Sequence, residues 1–225
     1  MEVHSIHMGL CTSYLIKDEG VILVDAGQQG YGGVFLRRLN QIGLSPGDIR
    51  LVFLTHGHWD HIGFLPELRK LAPIPVAIHT AEKGWVEQGL KPMPPPITAW
   101  GKFLHKLIMT FMIPKQDFPG TPVDIALGES PYRLDQYGIR GTIYHTPGHS
   151  SGSMSLILES GEAFVGDLAV NGSLMRIGPN MSVFADDPET VRESWKLVLQ
   201  KGGKIIYPAH GAPFEACILA KLAGK

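Results

Sequence analysis

Apolar positions along the chain fall into two kinds of run. Short β-rich segments, Ser13 to Ile16, Val21 to Val24, Leu51 to Leu54, Val76 to Ile78, Gly141 to Tyr144, Met154 to Leu158, Ala163 to Val165 and Ile205 to Tyr207, read as strands. Between them Val34, Phe35, Leu39 and Ile42 recur at helical spacing, as do Phe64, Leu65, Leu68 and Leu71, and Val191, Trp195 and Val198. The last of these predicts a helix over 188–201. Asp187 precedes it as a cap, Pro188 suits its first position, Glu189 favours the positive end of the dipole, and Gly202 sits where it should stop. A turn at Glu19-Gly20 makes a hairpin of the first two strands, and the later strands alternate with helices. The pattern predicts mixed sheets covered by helices, of class α/β or α+β. No repeat of a length that would build a solenoid or propeller is visible.

One stretch is foreign to this rhythm. Lys91-Pro92-Met93-Pro94-Pro95-Pro96, an apolar run to Ile113, Pro114 and Phe118-Pro119-Gly120 read as an insertion at about 91–120. Within it Trp100, Phe103, Leu104, Leu107, Ile108 and Phe111 recur at roughly helical spacing, with Lys102 and Lys106 on the opposite face, which predicts a helix. Packing on the domain is the ordinary fate of such a stripe. Among functional roles, a lid lining a substrate pocket through Trp100, Phe103, Leu107 and Phe111 ranks first, a homodimer contact second and a membrane-surface contact third.

Composition narrows the class. The 225 residues are 44% hydrophobic and 18% charged, enough to bury a core without disulfide staples. A single domain over 1–225, carrying the insertion, is the expectation. Twenty basic against twenty-one acidic residues leave a formal charge of −1, so no nucleic-acid partner is expected. Cys11 and Cys217, at opposite ends of the chain, argue against a disulfide framework and for a reducing compartment. The first residues have neither a basic flank nor an apolar core, so no secretory signal is expected and the cytoplasm is the expected location. Lys102, His105 and Lys106 interrupt the apolar run from Ile97 to Ile113, which argues against stable membrane insertion.

The chemistry is concentrated in Thr55-His56-Gly57-His58-Trp59-Asp60-His61, directly after an apolar strand. At this chain's own frequencies of His and Asp, His-x-His-x-Asp-His arises by chance on the order of once in a thousand chains. Two imidazoles two residues apart on an extended turn point at one ion, while the Asp and the next His, turning into a helix, can face a second. Imidazole and carboxylate donors suit zinc, and also iron, manganese or nickel.

The motif resembles that of the metallo-β-lactamase superfamily, and four further segments are similar to that family's other motifs. They are Leu23-Val24-Asp25-Ala26-Gly27, Thr146-Pro147-Gly148-His149-Ser150-Ser151-Gly152-Ser153, Val165-Gly166-Asp167 and Tyr207-Pro208-Ala209-His210-Gly211. The resemblance implies a four-layer αββα sandwich, class α+β, with the site at one edge of two mixed sheets. It also implies His56, His58 and His149 as ligands of one metal, Asp60, His61 and His210 as ligands of another, and Asp167 as the bridge. Asp25 becomes a carboxylate that orients a ligand histidine from behind, with Thr55 and Thr146 capping or orienting the same loops. His4, His7, His79, His105 and His145 match no family motif, so a surface or satisfied core role is expected for each, with His7 and His145 the next candidates for ligation.

The implied cofactor is two divalent ions, zinc first, with iron or manganese as alternatives. The implied catalyst is a metal-bridging hydroxide helped by Asp60, acting on a small-molecule substrate. Asp167 separates the chain from the family's β-lactamases, which generally lack an aspartate there, and aligns it with its glyoxalase II-like thioesterases and lactonases. Gly57-His58 stands where the flavodiiron pattern has Glu. Fifteen residues follow His210, so the helical domain with which glyoxalase II grips glutathione is not expected. The insertion is apolar and poor in arginine, unlike the tRNA-binding arm of the RNA-processing members. The expected reaction is hydrolysis of an ester, thioester or lactone bond in a partly apolar substrate. A mononuclear-iron persulfide dioxygenase, a phosphodiesterase and a non-catalytic metal scaffold are the alternatives.

Overall fold

The computed structural model describes residues 1–173 and 176–224. The chain opens with β1 (Glu2–Met8), β2 (Cys11–Lys17) and β3 (Val21–Val24), then α1 (Gly32–Gln41), β4 (Ile49–Phe53), α2 (Trp59–Ile62), α3 (Leu65–Leu71), β5 (Val76–His79) and α4 (Lys83–Gln88). The inserted segment contributes α5 (Ala99–Leu107), a π turn over Ile108–Met112 and a 3-10 turn over Ile113–Lys115. Then follow β6 (Ile125–Leu127), β7 (Tyr132–Arg133), β8 (Gly141–His145), β9 (Met154–Leu158), β10 (Glu162–Gly166), β11 (Val170–Ser173), β12 (Arg176–Asn180), α6 (Pro188–Gln200), β13 (Ile205–Pro208), β14 (Phe214–Glu215) and α7 (Cys217–Ala223).

Two six-stranded sheets result, ordered β1-β2-β3-β4-β5-β6 and β14-β13-β10-β9-β8-β7, with β11 and β12 as a separate ribbon. Both sheets are mixed. In the first, β1 to β3 are antiparallel and β3 to β6 parallel; in the second, only β10 and β13 run parallel. The hairpin around Glu19-Gly20 pairs Tyr14 with Val24 and Lys17 with Val21.

Side-chain alternation sorts the apolar residues into three buried layers, which is why the strands read as continuous apolar runs. Ile22 and Val24 of β3, Leu51 and Phe53 of β4, Leu156 and Leu158 of β9 and Phe164 of β10 meet between the sheets. Their neighbours Leu23, Val52 and Leu54 face the other way, against Phe35 and Leu39 of α1 and Leu65 and Leu68 of α3. On the far side Ile157, Ala163, Val165 and Ile206 pack under Val191, Trp195 and Val198 of α6 and Leu219 of α7. Helix, sheet, sheet and helix are thus stacked in an αββα sandwich.

Local signals set the ends of α6. The Asp187 carboxylate accepts from the Glu189 amide and from the Thr190 hydroxyl, Pro188 occupies the first position, and Gly202 follows at φ +94°. Trp195 is buried, and its indole N–H donates to the Leu168 carbonyl at 2.9 Å, one residue beyond Asp167. The insertion is tied down at both ends. The Ile97 and Ala185 amides donate to the Val183 and Pro95 carbonyls, and Gln29 exchanges two hydrogen bonds with the backbone of Asp117.

Trp195→Ala is expected to cost about 3–5 kcal/mol by cavity formation, read as a lowered urea midpoint at unchanged slope; a loss below about 1 kcal/mol would contradict the packing described.

Candidate metal centre

The site is assembled by loops that leave the strand ends at one edge of the sandwich. His56 and His58 follow β4, and Asp60 and His61 lie in α2. His149 lies between β8 and β9, Asp167 follows β10 and His210 follows β13. Backbone bonds lock these loops to one another: Met154 N–H to Thr55 O at 2.8 Å, Ala26 N–H to His61 O at 2.8 Å, and Ala209 N–H to Gly166 O at 3.0 Å. Gly166 also lets the loop after β10 approach Thr55 closely. It adopts φ +54°, and a Cβ there would collide with the Thr55 hydroxyl.

All seven sequence-predicted ligand residues are buried and converge. His56, His58 and His149 form one group of donors, Asp60, His61 and His210 another, and Asp167 joins His56 and His61 in a third. The Asp167 carboxylate reaches across. Its Oδ1 lies 3.1 Å from His210 Nε2 and 3.4 Å from His61 Nε2, while its Oδ2 lies 3.7 Å from His149 Nε2. Asp60 Oδ2 is 3.4 Å from His210 Nε2.

Four of the five imidazoles spend Nδ1 outward. His149 Nδ1–H donates to Phe184 O at 2.9 Å, and His210 Nδ1–H to Leu10 O at 2.8 Å. His61 Nδ1–H donates to Asp25 Oδ2 at 2.9 Å. His56 Nδ1–H donates at 3.0 Å to the Thr55 hydroxyl, which itself donates to Asp25 Oδ2 at 2.8 Å. Each of these rings therefore turns its Nε2 inward. His58 presents Nδ1 instead, 3.1 Å from His149 Nε2, with its ring stacked on Trp85. The atoms His56 Nε2, His61 Nε2, His210 Nε2 and Asp167 Oδ1 are buried with no hydrogen-bond partner. Orphaned lone pairs of nitrogen and carboxylate oxygen pointing at one another are what a divalent cation satisfies, so the residues fit metal ions.

Electrostatics divides the cluster. Burial pushes His56 and His58 well below the ordinary imidazole range, with further lowering by neighbouring histidines, so both are neutral donors at pH 7. Burial pushes His61 the same way, but Cys11, Asp25, Asp60 and Asp167 overcome it and raise it well above that range. Burial also works against the Asp167 carboxylate, and His210 and His61 hold it well below the usual range.

Asp25 stands behind two of the rings, reaching His61 directly and His56 through Thr55, and its backbone is held at φ +57°. That strained conformation lets Oδ1 also accept the Thr55 amide at 2.8 Å. Thr146 is buried and bonds Ser155 rather than a ligand. Outside the cluster His7 bonds Thr12, His4 approaches Glu2, His105 lies against Phe184, and His79 stacks on His145, which donates to Ser151 O.

Two residues of the site carry no motif signal. Cys11 places Sγ 3.8 Å from His61 Nδ1, and burial pushes its thiol up to about 12, which keeps it protonated. Glu82, fully buried at the start of α4, accepts from the Gly57 amide at 2.5 Å and the Gly152 amide at 2.8 Å. It thereby staples the loop of His56 and His58 to the loop of His149. Burial raises its carboxyl, opposed by bonds from Ser150 and the two amides. The acidic residue beyond β5 was the available clue, but it lies 25 residues from Gly57 in sequence.

A cleft opens over the cluster, lined by Asp60, His58, His149 and Asp167 on its floor and by Leu10, Trp59, Met93, Pro94, Ile108 and Phe184 on its walls. The insertion reaches it through Met93, Pro94 and Ile108. Trp100, Phe103, Leu107 and Phe111 are exposed and do not line it. The apolar helical stripe divides, with Leu104 and Ile108 turned inward and the other four outward.

The sequence matches the family model described as Metallo-beta-lactamase superfamily over residues 8–210, and the chain belongs to that superfamily. Among curated relatives, "Probable metallo-hydrolase YflN" of Bacillus subtilis (strain 168) is 27% identical, with 94% of this chain and 84% of the relative aligned. "Probable metallo-hydrolase M6_Spy0554" of Streptococcus pyogenes serotype M6 is 28% identical, over 92% of this chain and 81% of its own length. Among solved structures, BLEG-1 B3 metallo-beta-lactamase superposes with a TM-score of 0.70 at 21% identity, covering 96% of this chain and 95% of that one. TTHA1623 in a di-iron-bound form superposes with a TM-score of 0.66 at 25% identity, covering 98% of each chain.

Asp25→Ala should lower metal affinity about 10–100-fold, read by competition with a chromophoric chelator; unchanged affinity would remove Asp25 from the site. Glu82→Ala leaves two buried amides without acceptors and should cost about 2–6 kcal/mol in urea unfolding, whereas a loss under about 1 kcal/mol would show that the staple bears no strain.

Proposed function

We propose that the protein is a hydrolase that holds two divalent ions, zinc first and iron or manganese as alternatives, and cleaves an ester, thioester or lactone bond of a small, partly apolar substrate. In this reading His56, His58 and His149 would hold one ion, Asp60, His61 and His210 would hold the other, and Asp167 would be shared between them. The observation that carries it is the Asp167 carboxylate, with one oxygen facing His61 and His210 and the other facing His149. The curated relatives named as metallo-hydrolases support the reaction class, and the di-iron form of TTHA1623 supports a pair of ions.

Ions bound there supply Lewis acidity toward the scissile carbonyl and lower the pKa of a coordinated water into the neutral range. The chain supplies the rest. Asp60, at the cleft floor, orients the attacking water and carries its proton toward the leaving group. Met93, Pro94, Ile108 and Phe184 form a dry wall that receives the apolar part of the substrate and keeps bulk water from the reacting bond. Because both ends of the insertion are fastened to the body of the protein, this wall is a fixed surface that selects by shape.

The test is metal analysis of the purified protein followed by a panel of esters, thioesters, lactones and phosphodiesters. Close to two ions per chain and turnover on a carboxylic ester, thioester or lactone are expected. One iron with oxygen uptake would replace the reading with an iron dioxygenase, and phosphodiester cleavage alone would replace the substrate class. Asp167→Ala should lose at least one ion and most of the turnover with the fold retained; unchanged occupancy and turnover would sink the bridging role.

A further inference from the structure

The outward half of the insertion's apolar stripe is left without a purpose by the cleft. Phe103 and Phe111 are 57% and 58% exposed and Trp100, stacked on Phe103 with ring centroids 5.3 Å apart, is 49% exposed. Leu107, one turn beyond Phe103, extends the same surface. Single exposed apolar residues need no explanation, but Trp100, Phe103, Leu107 and Phe111, four large ones within twelve residues of one short helix and its continuation, form a patch. The buried side of α5 is Gly101 and Leu104, continued by Ile108. Lys106, three residues beyond Phe103, is its neighbour on the helix surface, and Lys102 lies one turn before Lys106 on the same exposed strip, so the lysines flank the apolar residues on one side; Lys115 is exposed in the 3-10 turn that follows the π turn.

Charge says what covers this face. Between Glu87 and Asp117 the chain carries four lysines and no carboxylate, although the whole protein is close to neutral. Lys91 is held over the Phe118 ring, while Lys102, Lys106 and Lys115 make no ion pair among the described residues. A second copy of the chain fits poorly, because a two-fold contact would set this face on itself, and the face offers no carboxylate to pair with the lysines of the other copy. A water-exposed role leaves the aromatic rings unexplained. An anionic lipid surface satisfies both, since the rings enter the boundary between headgroups and acyl chains while flexible lysine stems keep their ammonium groups among the phosphates.

We infer that the face of α5 and the π turn bearing Trp100, Phe103, Leu107 and Phe111 docks reversibly on anionic membrane surfaces, with Lys102, Lys106 and Lys115 as its electrostatic contacts. The docking is peripheral, for no helix among the described residues is long and apolar enough to cross a membrane. It is independent of the reaction proposed for the cleft, because none of these seven residues lines that cleft.

The experiment is co-sedimentation of the metal-loaded, full-length protein with phosphatidylcholine vesicles prepared with and without phosphatidylserine, across a range of salt concentration. Binding is expected only with phosphatidylserine present, falling as salt rises. Lys102→Gln and Lys106→Gln should each weaken it about fivefold, and Phe103→Ser with Phe111→Ser should abolish it. A blue shift of tryptophan emission on vesicle addition should disappear in Trp100→Phe. Circular dichroism and metal content, expected to be unchanged in all variants, establish that each is folded. Absence of binding to anionic vesicles, equal binding to both kinds, or indifference to the lysine and phenylalanine substitutions would overturn the inference. So would a dimer on size-exclusion chromatography that the phenylalanine substitutions dissociate, since the face would then belong to a second copy.

Discussion

The constraint on which the structure depends is the presence of five imidazoles and two carboxylates in one buried pocket. Groups of this kind are costly to remove from water, and a lone pair left without a partner in the interior costs about 1–3 kcal/mol. Four such atoms converge here without partners from the protein. No ordinary packing requirement gathers them, so the sandwich has to be stable enough elsewhere to hold a locally unfavourable cluster until cations complete it.

That stability lies in the three apolar layers, and its precision in the network behind the rings. A strand buried on both faces cannot slide by one residue without exchanging the contents of two cores, so the register of β4 and β10 is fixed, and with it the positions of His56 and Asp167 just beyond their ends. From there the positioning is polar. Asp25 governs two rings, backbone carbonyls at Leu10 and Phe184 govern two more, and Glu82 ties together the two loops that supply His56, His58 and His149. Four of the five imidazoles are thus held, directly or through Thr55, by groups distant in sequence, so the centre forms only when both sheets are docked.

Much of this was legible in the residues because it rests on strong, local signals. Val21–Val24 is apolar throughout and Met154–Leu158 apolar but for Ser155, and α6 has an aspartate cap, a proline and a glycine just past its end. The strands that escaped notice lack those signals. β1 mixes His4, Ser5 and His7 with only two fully buried positions, and β7 and β14 are two residues long. The ligands were visible because a metal demands unusual residues at fixed spacing. Glu82 and Cys11 were not, because a buried carboxylate bonding two amides, or a thiol against a ring, follows from tertiary approach and from no spacing in sequence. The insertion shows the limit of periodicity: the spacing located a helix and its apolar residues, but one stripe supplied two faces, and only the packing of Leu104 and Ile108 tells which half is core.

The central claim is that Asp167 lies between two ions, and the direct measurement is electron paramagnetic resonance of the protein loaded with manganese. Two Mn(II) ions bridged by one carboxylate, about 3.5–4 Å apart, should give an exchange-coupled spectrum at full loading, and Asp167→Ala should abolish it. A full-strength spectrum of isolated Mn(II) at saturating metal, or coupling that survives loss of the Asp167 carboxylate, would contradict it.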